Sequence, residues 1–133
     1  MPDLGTILWR GRSGREYKYS IYQVGAALEA VPGNYIFAEE TRPGTFLPVY
    51  IGQTSDLAQP LDQHVAMPCI RRNGAAFLHV RKNEGGEAAR LAEAADLIAL
   101  WDPPCNRTTR PRSMTATGGT SRGTSDAVPF QKA

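Results

Sequence analysis

Between Gly33 and Thr54 the chain carries two short apolar runs on either side of Arg42-Pro43-Gly44-Thr45, and no other segment restricts the fold as much. Asn34 to Ala38 and Leu47 to Gly52 are rich in β-branched and aromatic residues, which suit a pleated, half-buried strand. A Pro-Gly turn reverses the chain, and strands joined by so short a loop pair antiparallel. The same pattern occurs nearer the N-terminus. Thr6-Ile7-Leu8-Trp9 and Tyr17 to Val24 flank Gly11-Arg12-Ser13-Gly14, which predicts a β-hairpin. A further strand is expected at Ala75 to Arg81, after the Asn73-Gly74 turn.

Two helices are expected among these strands. Ser55 and Asp56 carry side-chain oxygens that can cap exposed backbone N–H groups, so a helix is placed from there toward Met67, ending at Pro68. Pro60 suits only the first turn of such a helix. The stronger helical pattern follows Gly85-Gly86, from Glu87 to about Leu100. Leu91, Ala94, Ala95, Ile98 and Trp101 recur at helical spacing. That wheel puts Glu93 on the shoulder of the apolar stripe and Asp96 opposite it, in water. Pro103-Pro104 stops the helix.

At 133 residues the chain is long enough for one domain with a modest core. It has no long apolar run and no signal-peptide pattern, so a cytoplasmic protein away from membranes is expected. Cys69 and Cys105 are too few for a disulfide scaffold, and a reducing compartment is expected for them. The net charge of +2 is unevenly spread: residues 1–106 hold ten Lys/Arg against twelve Asp/Glu, and residues 107–133 hold five against one. Gly, Ser, Thr and Pro dominate that basic tail, which is expected to be disordered.

Singly, the polar residues have ordinary explanations. Tyrosines on strands are usually core, a helical glutamate is usually solvated, and an asparagine after Pro-Pro-Cys usually makes a turn. His64, Cys69, His79 and Cys105 lack the paired short spacing of a structural zinc site. The ordered set says more. Gly33-x-Tyr35, Tyr50-Ile51-Gly52-Gln53-Thr54, His64, Arg90-x-x-Glu93, Asp96-Leu97-Ile98 and Pro103-Pro104-x-Asn106 resemble the GIY-YIG nuclease family over about residues 32–106.

That resemblance implies an α+β fold, a small three-stranded, mainly antiparallel sheet flanked by helices. Residues 1–31 would be an added N-terminal hairpin, 32–106 the nuclease-like domain and 107–133 a tail. It implies metal-dependent hydrolysis of nucleic-acid phosphodiesters, with DNA as the first candidate. Tyr35, Tyr50, His64, Glu93 and Asn106 would form the catalytic set, one tyrosine acting as general base. Glu93 would hold one divalent cation, Mg²⁺ or Mn²⁺, which needs few protein carboxylates. Gln53 and Arg90 would contact the nucleic acid. Pro60 stands where the family carries an arginine to the scissile phosphate, and Arg90 is the nearest candidate to replace it. Loss of such a stabiliser costs about 10³–10⁵-fold in rate. A catalytically silent nucleic-acid-binding module on the same fold is therefore the second reading.

Overall fold

The structure, a computed structural model, describes residues 4–59, 61 and 65–108. Its elements are β1 (Thr6–Arg10), β2 (Glu16–Gln23), β3 (Gly33–Arg42), β4 (Thr45–Thr54), α1 (Met67–Arg72), β5 (Phe77–Lys82), α2 (Glu87–Trp101) and α3 (Pro104–Thr108). The strands form one sheet in the order β1-β2-β5-β3-β4, with every neighbouring pair antiparallel. The class is α+β as expected, but the sheet has five strands, not three. The N-terminal hairpin is no appendage, because β2 pairs with β5 from Ser20–Val80 to Gln23–Phe77.

The β3–β4 connection follows from its residues. Proline presets φ at the first central position and Gly44 takes φ 79°, a region open to glycine. Irregularities at Phe37/Ala38 and Glu40/Arg42 absorb the register change.

The helix expected from Ser55 is not found among the described residues. Asp56 Oδ1 accepts from the Ala58 N–H at 2.9 Å, and Asp56 N–H donates to Thr54 Oγ1 at 3.1 Å, so these groups close a local turn. Pro68 opens α1 rather than ending an earlier helix, since its missing N–H costs nothing in a first turn. Pro60 and His64 lie outside the described residues, as does the tail beyond Thr108. Among the described residues no helix is long and apolar enough to cross a membrane.

Alternation along the strands divides the core between the two faces of the sheet. Tyr35, Phe37, Val49, Leu78 and Val80 pack with Leu57, Met67, Ile70 and Cys105 on the α1 side. Ile36, Ala38 and Ile51 pack with Trp9, Tyr17 and Tyr19 under Ala94 and Leu97 on the α2 side. The buried stripe of α2 is Arg90, Glu93, Ala94 and Leu97, while Leu91 is exposed. The helix is thus rotated from its apolar wheel toward the polar partners of Arg90 and Glu93. Cys69 and Cys105 form a disulfide, Cα–Cα 5.7 Å, tying α1 to α3. That replaces the expected pair of free thiols.

Candidate functional site

Tyr35 and Tyr50 come together. They face the α1 side with ring centroids 6.2 Å apart, and Tyr35 also meets Phe37 edge-on at 5.9 Å. Gly52 makes this possible: a Cβ there would lie 2.6 Å from Tyr35 Cζ and Oη. The Gly of the Tyr-Ile-Gly segment is thus the space in which the other tyrosine lies. Burial pushes both phenols above their usual range, and for Tyr35 the neighbouring Tyr50 adds to the rise. Neither phenol gives up its proton readily in the neutral range.

Glu93 lies on the other side of the sheet. Its Oε1 accepts from Arg81 Nη1 at 2.6 Å and from Asn83 Nδ2 at 3.0 Å, and its Oε2 accepts from Tyr19 Oη at 2.6 Å. Burial pushes the carboxyl upward, while the Tyr19 hydroxyl, Arg81 and Asn83 pull it back toward the charged form. The network continues inward. Asn83 Nδ2 also donates to Asn34 Oδ1 at 3.1 Å, and Asn34 Nδ2 donates to the Arg90 carbonyl at 2.9 Å. Arg90 Nε donates to Gln53 Oε1 at 2.9 Å. Gln53 and Arg90 therefore meet each other, and Arg90 is buried.

Asn106 does a third kind of work. Its Oδ1 accepts from Ile51 N–H at 2.8 Å and its Nδ2 donates to Ile51 O at 2.9 Å. One side-chain amide thus occupies both backbone groups of Ile51 that face away from β3, on an edge strand that would otherwise present them bare. The expected set is divided in space. Tyr35 and Tyr50 share one face, Glu93, Arg90 and Gln53 share the other, Asn106 clamps the edge, and His64 lies outside the described residues.

The residues around Glu93 include several that the motif did not identify. Tyr19, Tyr17, Arg81 and Asn83 come from β2, β5 and the residues just after it. Their signal was present in the alternation of Tyr17, Tyr19 and Ile21, which turns all three to one face. Tyr17, Arg81, Asn83 and Glu93, with Arg15 and Asp96, line a cleft of about 520 Å³ between the hairpin and α2. Arg81 lies over the Tyr17 ring at 5.6 Å. Asp96, expected in water, instead binds the hairpin tip. It accepts from Ser13 N–H at 2.8 Å, Ser13 Oγ at 2.7 Å and Tyr17 Oη at 2.8 Å. The Ser13 hydroxyl, foremost among these partners, lowers its pKa.

At Glu93, the residue expected to hold a divalent ion, hydrogen bonds and an ion pair surround the carboxylate. Both carboxylate oxygens already accept hydrogen bonds, and a guanidinium at 2.6 Å supplies the positive charge that a metal would bring. Among the described residues no group of three or more His, Cys, Asp or Glu is placed to hold a metal ion. The chain matches no protein-family model and has no significant match among curated proteins.

Proposed function

We propose that this chain is a nucleic-acid-binding module of the GIY-YIG type that does not hydrolyse phosphodiesters through a metal at Glu93. The observation that carries this reading is the engagement of both Glu93 carboxylate oxygens by Arg81, Asn83 and Tyr19. A nuclease of this kind needs a carboxylate free to hold a cation beside the phosphate, within reach of a group that activates water. Here the carboxylate is neutralised and faces away from the tyrosine pair. The binding half of the reading rests on the ordered motif and on exposed cations over an otherwise acidic body.

The test is incubation of the purified chain with labelled duplex, single-stranded and branched DNA in Mg²⁺ or Mn²⁺, beside Glu93→Gln. The expected result is salt-sensitive binding with no cleavage by either protein. Metal-dependent cleavage that disappears in Glu93→Gln would overturn the reading in favour of the endonuclease.

A further inference from the structure

We propose that the tip of the β1–β2 hairpin is the element on which a nucleic-acid phosphate backbone docks, a surface that the family motif does not include. The proposal rests on the nucleic-acid reading above and adds the place of contact. Residues 10–18 carry Arg10, Arg12, Arg15 and Lys18 against Glu16 alone, whereas the rest of residues 1–106 holds six Lys/Arg against eleven Asp/Glu. A polyanion approaching this body therefore meets attraction in one short segment and a net negative charge over the remainder.

The local geometry leaves those cations available. Arg10 is paired with Glu16 at 3.3 Å, so that charge is cancelled. Arg12, Arg15 and Lys18 are exposed, and among the described residues none of them forms an ion pair. Glu93 is held by Arg81, while Asp96, which accepts three hydrogen bonds from neutral donors of the tip, keeps its charge and offsets part of that of Arg15, leaving the tip with a net positive charge.

The tip is also fixed in place. Pairing of β2 with β5 begins at Ser20, so residues 16–19 pair with β1 alone as a two-stranded ribbon. The ribbon is held on α2 by Asp96 and by the Arg12 N–H, which donates to the Asp96 carbonyl at 3.0 Å. Gly11 gives Asp96 its room at that contact, since a Cβ there would displace the Asp96 carboxylate. A contact surface held rigid before binding loses less entropy when the ligand arrives.

The experiment measures fluorescence anisotropy of a labelled random-sequence DNA duplex against salt concentration. It compares the full chain with the Arg12→Gln/Arg15→Gln/Lys18→Gln variant, after thermal unfolding has shown that both are folded. The expected result is binding weakened about ten-fold or more at low salt, with the log–log salt slope reduced by about 2–3, near 0.9 per lost phosphate contact. An Arg71→Gln/Arg72→Gln control is expected to keep the original slope. An unchanged affinity and slope in the hairpin variant would overturn the proposal while leaving the binding reading intact, as would an equal loss in the control. No binding by the unaltered chain would overturn the reading itself. Hairpin-dependent binding to phosphatidylserine vesicles but not to duplex would overturn nucleic acid as the occupant.

Discussion

Glu93 shows how a residue's place on its helix can be legible while its neighbours are not. Its place on the helix shoulder is legible from spacing, but Tyr19 and Arg81, distant in sequence, become neighbours only when β2 joins β5. Removing the carboxylate leaves the Tyr19 hydroxyl and Arg81 without their acceptor. Glu93→Ala is expected to lower stability by about 2–3 kcal/mol, less than a fully buried pair because Arg81 reaches solvent. Urea unfolding checks this, and calorimetric titration with Mn²⁺ is expected to show the same response for both proteins. His79 gives a second residue-level test. It is fully buried, accepts from Trp9 Nε1 at 3.0 Å, lies against Phe46, and has no partner for Nε2 among the described residues. Burial holds its pKa down to about 4. Between that value and the ordinary one near 6.5, the unfolded chain binds a proton that the folded chain refuses, so folding is disfavoured as pH falls. Stability is expected to drop by up to about 3 kcal/mol across that window through His79 alone. His79→Phe is expected to remove that component, as read from unfolding midpoints at several pH values.

Among the elements, the strands and α2 were the most legible, because alternation, turn glycines and Pro103 mark them locally. Residues 55–59, where the sequence allowed the helix to start, form a turn instead for an equally local reason. Short Ser, Thr and Asp side chains satisfy a turn as readily as a helix cap, and nothing at Ser55–Gln59 decides between them. The apolar wheel of α2 was off by about one position because it counted hydrophobicity alone, whereas Arg90 and Glu93 are buried by their hydrogen bonds. The link between α1 and α3 could not be read at all, since cysteine count does not reveal proximity. That link carries a prediction. The bridge joins residues 36 positions apart and so restricts the unfolded chain by about 3–4 kcal/mol. Treatment with dithiothreitol, or Cys69→Ser/Cys105→Ser, is expected to lower the unfolding midpoint accordingly. Because Cys105 precedes Asn106, backbone amide exchange at Ile51 is expected to quicken in the same variant. An unchanged midpoint and unchanged exchange would mean that the bridge restrains neither α3 nor the β4 edge.

For the whole molecule, the continuity of the sheet bears on where a stable unit begins. A motif that starts near Gly33 invites truncation to the segment that carries it. The structure argues against such a boundary, because β5 pairs with β2 on one side and β3 on the other. Removing residues 1–24 would bare the β2-facing edge of β5 and strip Trp9, Tyr17 and Tyr19 from beneath α2. Three buried aromatics at about 150–250 Å² each, and about 25 cal/mol per Å², amount to on the order of 10 kcal/mol. That is comparable with the roughly 5–15 kcal/mol by which domains are stable at all. The truncated chain is therefore expected to lose cooperative unfolding and dispersed amide resonances, whereas removing residues 109–133 is expected to preserve both. A folded, cooperative chain lacking residues 1–24 would show that the α2 face can close without the hairpin. The cleft lined by Arg15, Tyr17 and Arg81 would then be an addition to an independent domain, not part of its core.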